Sequence, residues 1–340
     1  MATYYDIFGQ KVQYLSSDPA NITEGQVWYN STSNTAKVQG YGTDSWSTGP
    51  LMGTGRYQMN GQNVGTSSSA LAIGGQGSFP ETQPAVTVSS VEEYDGSSWS
   101  EVNNFPTTLA MAGSVGIQTA ALQFGGYGKP GAGPNPAPGS PPFSVVTDYD
   151  GTSWTAAAAN LPTAVAYLTG AGTQIAAVSI GGFPAITSCN LYNGATWAST
   201  GSMTTGRHNG SAVGDSTSAL VIGGAPGGVN IDVEEFNGST WTTSPNLPLA
   251  KEQAGVGGIT TNAFASFGNQ TSPTNTLLWD GSSWTAGATA SIPRYGGTNG
   301  GTSTSEGYYA GGGGSASGTL RQSLETYTFA GPTTQTITTS

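Results

Sequence analysis

The chain has one cysteine, Cys189, and one histidine, His208, in 340 residues. A single thiol cannot build an intrachain disulfide framework. A single imidazole cannot supply the ligand set of a zinc-hydrolase site or of a multi-histidine copper site. Basic residues are also scarce. Eight Lys and Arg stand against 19 Asp and Glu, giving a net charge of −11 and a pI near 4.2. That balance argues against nucleic acid as the main partner, because phosphate binding needs a basic surface. No apolar run reaches membrane-spanning length, and Met1 to Ala20 has no apolar run of signal-peptide type. Charged residues amount to only 8%, but aromatics make up 10% and recur at regular intervals, which is not the pattern of a disordered chain.

Glycine, by contrast, is abundant, with 53 residues. Together with Ser, Thr and short apolar runs it points to many short strands and tight turns, an all-β chain. The sequence also repeats itself. VEEYDGSSW at 91–99 returns as VTDYDGTSW, CNLYNGATW, VEEFNGSTW and LLWDGSSW. The closing tryptophans are Trp46, Trp99, Trp154, Trp197, Trp241 and Trp284, each five residues after an aromatic: Tyr41, Tyr94, Tyr149, Tyr192, Phe236 and Trp279. Upstream lies an apolar run ending in Gly-Gly: ALAIGG, ALQFGG, AVSIGG and ALVIGG. The fifth copy, FASFGN, is degenerate at Gly268-Asn269, and the sixth reads GYYAGGGG with Gly311-Gly312.

A repeat of this length with four short strands fits a propeller blade. A small-residue inner strand such as MAGSVG comes first. The Gly-Gly strand follows, then the strand holding the aromatic, then a strand opening at the tryptophan. Asp-Gly and Asn-Gly pairs between the last two read as tight hairpins with positive φ. The FP, LP, LP and IP pairs that follow suit an exit to the next blade, since proline cannot sit in a central ladder. The pattern resembles the kelch repeat family over residues 40–330. The resemblance implies a β-propeller, and six Gly-rich apolar strands imply six blades. Trp46 precedes the first Gly-Gly unit, and Tyr327 in LETYTF lacks a following tryptophan. A strand near Ser45–Thr48 is therefore expected to complete the last blade and close the ring. Seven blades is the alternative, with QVWYN and TAKVQGY as the extra strands. The expected organisation is a segment 1–40, a propeller 41–330 and a polar tail 331–340 held loosely.

Within residues 1–40, GQVWYNSTSNTAKV reads as a hairpin. It also resembles a phrase common in fibre and tail-associated proteins of tailed bacteriophages. Two insertions interrupt the repeat, GQGSFPETQPAVTVSS at 75–90 and GYGKPGAGPNPAPGSPP at 126–142. The second has six prolines and is either a docking arm or a tolerated insertion.

Chemistry is sparse. Kelch-like copper oxidases use several histidines, so His208 alone reads as a loop or packing residue. The sialidase turn places one residue between Asp and Gly, whereas here they are adjacent. No nucleophile–base pair or phosphate loop is visible, and AGGGGSASG lacks the lysine and helix of a phosphate cradle. Of four arginines, Arg56, Arg207 and Arg294 occupy similar repeat positions, with Lys251 nearly equivalent. They either ring one mouth of the channel and bind an anion, or span adjacent blades through loop carbonyls and nearby acids. Glu92-Glu93 and Glu234-Glu235 alternate across a strand and are expected on a solvated outer surface.

These features lead to a non-enzymatic structural or adhesion protein of a tailed-phage particle, without a cofactor. Its expected partners are other virion proteins and a host-surface glycan or protein, in multiple copies. The expected contacts are Arg56, Tyr57, Tyr127, Arg207, Lys251, Arg294 and Tyr295. The alternative is an extracellular, lectin-like propeller, and a glycan hydrolase with an unfamiliar site is a third reading.

Overall fold

The structure is a computed structural model that describes residues 12–19, 26–41, 43–59, 63–77, 86–128, 142–225, 230–269, 274–301, 306–313, 322–329 and 332–337. Residues 78–85 of the first insertion, residues 129–141 of the second, and Arg321 lie outside the described residues. The described chain is all β and contains no helix. It divides into two units, 1–44 with 329–340, and 45–328.

The larger unit holds six four-stranded antiparallel sheets in a propeller-like arrangement. Sheet I comprises Gly65–Thr66, Ser69–Ile73, Val91–Tyr94 and Trp99–Val102. Sheets II to V repeat that order, with first strands Gly113–Ile117, Thr169–Thr173, Ser211–Gly214 and Gly255–Ile259. Sheet VI joins Thr298–Gly300, Glu306–Ala310 and Leu324–Thr328 to Ser45–Thr48 from the other end of the unit. Tyr327 there pairs with Trp46, supplying the tryptophan that the last repeat lacks.

Each sheet buries both faces. Leu71, Ile73 and Val91 of sheet I share a core with Ala121 and Tyr149 of sheet II. Val213, Leu220 and Ile222 of sheet IV share one with Val256, Leu277 and Trp279 of sheet V. Tyr308, Ala310 and Leu324 of sheet VI pack with Ala70, Ala72 and Tyr94 of sheet I. The first strands meet their neighbours from sheet I through sheet VI and back to sheet I. Glycine is needed there: Gly258 has a φ of +108°, and a Cβ would lie 2.2 Å from the carbonyl oxygen of Asn262.

The recurring motif is scaffold. Tyr94 stacks on Trp99 with ring centroids 5.1 Å apart, and Tyr149 packs tilted against Trp154 at 4.7 Å. The turn between them differs from the expected hairpin. Only its glycine has positive φ, as at Gly96 (+92°), so it is not the type in which both central residues are left-handed. Asp95 instead accepts the backbone N–H groups of Ser97 and Ser98 on its carboxylate, each at 2.8 Å. Those bonds, led by the Ser97 hydroxyl, hold the Asp95 carboxyl down at about 2. The degenerate fifth copy is also shifted by one residue. Phe267-Gly268, not Gly268-Asn269, follow the second strand, with Phe267 itself at φ 61°.

The smaller unit is one sheet, ordered Gln13–Leu15, Val27–Asn30, Thr35–Tyr41 and Pro332–Ile337. The expected hairpin at 26–39 is present, with Val27 paired to Val38. QVWYN and TAKVQGY therefore belong to this sheet rather than to a seventh blade. The polar tail is not loosely held: Lys37 pairs with Thr336 and Val38 with Gln335. Its β-branched threonines suit a strand. Asp18 ties the sheet together, accepting from Trp28 Nε1 (2.9 Å), Asn30 Nδ2 (2.8 Å) and Lys37 Nζ (2.6 Å).

Candidate recognition face

The repeated arginines do not form an open ring. Arg56, Arg207 and Arg294 are all buried, as is Lys251. Each arginine side chain bonds inside its own sheet, while its backbone carbonyl accepts from the preceding one. Arg56 accepts from Gly312 N–H (2.7 Å), Arg207 from Gly182 N–H (2.8 Å) and Arg294 from Gly268 N–H (3.0 Å), so the residue does link neighbouring sheets as expected. Arg56 Nη1 donates to the carbonyls of Gly74 (3.2 Å) and Ser90 (2.6 Å), and Nη2 to Glu92 Oε1 (2.8 Å). Arg207 repeats this with Gly223, Asp232 and Glu234. Arg294 repeats it with Gly311, Ser323 and Glu325. Burial pushes the Arg56 guanidinium below its ordinary value, and Glu92 opposes the shift. Glu92 and Glu234 are thus buried counter-ions, not members of a solvated strand. Glu93 accepts from the Tyr149 hydroxyl (2.7 Å) and Glu235 from Ser244 (2.9 Å).

The glutamates have a second task. Glu92 also accepts the backbone N–H groups of Gly53 and Thr54, Glu234 those of Thr204 and Thr205, and Glu325 that of Ser291. In the other three sheets, Thr147, Asn190 and Leu277 occupy the glutamate position. There the residue matching Gly53, Thr204 and Ser291 is proline: Pro106, Pro162 and Pro248. Where the acceptor is missing, the donor is missing too, so no amide is stranded. Lys251 has no acid. Its ammonium donates to the carbonyls of Phe267 and Asn275, each at 3.0 Å, and burial pushes it down to about 7.

Two residues beyond each of these positions, the chain turns left-handed. Gln58, Met111, Tyr167, Asn209, Gln253 and Gly296 all have φ between 50 and 63°. Their backbones bond in series. Met111 N–H donates to Gln58 (3.4 Å), Tyr167 to Met111 (2.8 Å), and Asn209 to Tyr167 (2.9 Å). Gln253 donates to Asn209 (2.9 Å), Gly296 to Gln253 (3.4 Å), and Met59 to Gly296 (3.2 Å). The series returns to where it began. Gln253 Nε2 reaches Met111 Sδ across it at 3.8 Å, and both side chains are buried. At the other end of the first strands, a cavity of about 330 Å³ is lined mainly by Gly116, Gly172, Gly214 and Gly258, with Asn63 and Asp215.

Around the backbone series lie aromatic side chains. Tyr57 and Tyr295 are half-buried, and both rings approach Gly313. Tyr127 is more buried than an open contact residue, at 3% exposure, with its hydroxyl 3.3 Å from Gln76 Nε2. Burial raises its pKa strongly. Its ring lies 5.4 Å from Tyr167, and Tyr167 lies 5.9 Å from Phe183, which is 60% exposed. His208 packs edge-on against both Tyr167 and Phe183. Burial lowers its pKa, so the ring is neutral near pH 7. Asn209 Nδ2 donates to Glu252 (2.7 Å) at the rim. Of the seven expected contacts, Tyr57 and Tyr295 reach this face, Tyr127 supports it, and the four cations lie beneath. Tyr167, Phe183, Asn209 and Glu252 were not read from the sequence. Their only signal is their place beside the Arg and Gly-Gly positions.

No known family profile matches the chain, and no curated protein matches it. Among solved structures, the chain is similar to the one described as the structure of YjhT. The identity is 15% and the TM-score 0.63, covering 83% of this chain and 99% of that one. At this identity the likeness concerns the fold.

Proposed function

We infer that sheets I to VI are the blades of a six-bladed, kelch-like propeller closed by Ser45–Thr48. We read the chain as a non-enzymatic recognition module of a tailed-phage particle. The circular series of backbone bonds and the core shared by sheets VI and I support the closed ring. The observation that carries the functional reading is the aromatic face itself. Tyr57, Tyr167, Phe183 and Tyr295 gather over an end of the ring stoppered by Gln253 and Met111. Such a surface offers stacking area and hydroxyl donors to another macromolecule. The cations beneath hold the backbone that presents it.

In this reading, the face touches a host surface or a neighbouring virion protein, and the smaller unit serves attachment to the particle. A carbohydrate partner is the second reading, favoured by half-buried tyrosines beside the Asn209 amide and the Glu252 carboxylate. Mass spectrometry of purified particles tests the virion assignment, and absence of the chain from them would overturn it. A glycan array with the full chain and a Tyr57→Ala/Tyr295→Ala variant tests the face. Glycan binding lost in the variant supports a sugar partner. Binding that survives unchanged removes this face from the account.

A further inference from the structure

Sheets I, II, IV, V and VI each have a slot beneath the recognition face, bounded by the first residue of the Gly-Gly position and a residue one or two before the third strand. In sheets I, IV and VI a guanidinium fills it, donating to both carbonyls. In sheet V an ammonium does the same without any acid, since Leu277 stands at the glutamate position. In sheet II the residue at the arginine position is Leu109, and the corresponding carbonyls belong to Gly125 and Val145. Leucine is too short to reach them. A cavity of about 200 Å³ remains, lined by Leu109, Gly125, Val145, Phe105, Phe143 and Gln123, with Thr107 at its rim.

Gln123 makes this cavity more than a packing gap. It pairs opposite Thr147, where the other sheets have small, aliphatic or aromatic residues such as Ala72, Val221 and Tyr309. It is fully buried, and neither its amide oxygen nor its amide nitrogen has a partner. A buried amide left unpaired is costly, so an occupant that bonds it is favoured. Val145 is 49% exposed, so the cavity has a way in from solvent.

We propose that this cavity takes the guanidinium of an arginine side chain from a partner protein. The guanidinium would donate to the carbonyls of Gly125 and Val145 and to Gln123 Oε1. Its alkyl stem would lie against Leu109, Phe105 and Phe143. The same two carbonyl positions already receive a cation in four of the six sheets, and the net charge of −11 draws a cationic segment toward the chain.

The test is an NMR titration of the full chain with Ac-Gly-Arg-Gly-NH2 against Ac-Gly-Nle-Gly-NH2, which keeps an alkyl stem without donors. The arginine peptide is expected to shift the Gly125 and Val146 amides and the Gln123 side-chain amide in a saturable way. The norleucine peptide is expected to bind at least tenfold more weakly. Leu109→Arg should fill the slot from within and abolish the shifts, while Gln123→Leu should weaken them. Equal binding of the two peptides would reduce the site to an apolar hole and overturn the proposal. So would the absence of saturable shifts in the wild-type chain, which requires no variant to fold.

Discussion

Replacing Glu234 by threonine should be one of the most damaging conservative changes in the molecule, and two further substitutions should repair most of it. Glu234 and Arg207 are each about 1% exposed and form an ion pair at 2.5 Å. Removing the carboxylate leaves a buried guanidinium with three carbonyl acceptors and no counter-charge, which costs about 3–5 kcal/mol. It also takes the acceptor from the N–H groups of Thr204 and Thr205, at about 1 kcal/mol each where water does not replace it. Adding Arg207→Leu removes the stranded charge and recreates the Leu109–Thr147 combination of sheet II. The double variant should therefore lie within about 1–3 kcal/mol of wild type, the remainder being the two amides and imperfect packing. Adding Thr204→Pro deletes one of those donors, as Pro106 does in sheet II, and should return up to about 1 kcal/mol. Urea denaturation midpoints of the wild type, the singles, the double and the triple read these differences, provided the slope is unchanged. Two results would refute the reasoning: a Glu234→Thr cost below about 1 kcal/mol, or a double variant no more stable than that single.

Lys251 gives a prediction in pH. Its folded pKa of about 7 lies below the ordinary lysine value, so between about pH 7 and 10 the unfolded chain holds a proton that the folded chain has released. Stability should rise with pH across that window, with a slope of up to about 1.4 kcal/mol per unit. Lys251→Met should remove this component and be the more stable protein at pH 6; parallel denaturation curves for both proteins that differ by a constant would contradict it. Ring closure gives a prediction in length. A chain beginning at Asp44 retains Ser45–Thr48 and should unfold cooperatively. One beginning at Gly49 leaves the Leu324–Thr328 edge unpaired and should be less stable and prone to associate. Equal thermal stability of the two would count against the closing role of that strand.

The strand order was legible because each repeat states its own sheet. The apolar run, the left-handed glycines and the aromatic–tryptophan pair all report local geometry, and each copy reports it again. Pairing of Ser45–Thr48 with Leu324–Thr328 followed from the mismatch between Trp46 and Tyr327. The solvated placement of Glu92 and Glu234 failed for a physical reason. Alternation says that neighbouring residues face opposite ways, but an outward face exists only if one side of the sheet is free. Here both sides are covered by neighbouring sheets. The signal for the buried pairs was nonetheless present. Arginine, glutamate and a non-proline residue occur together in three repeats, and all three are replaced together in the others.

The sequence by itself determined the repeating unit, the glycine positions of its turns and the scarcity of cysteine and histidine, because these depend on local backbone preference and on residue counts. Tertiary structure decided which residues share a neighbourhood. It put the arginines beneath the surface, brought Tyr57, Tyr167, Phe183 and Tyr295 from three separate repeats onto one face, and left the space beside Leu109 unfilled. Those outcomes depend on contacts between residues far apart along the chain, which no single repeat encodes.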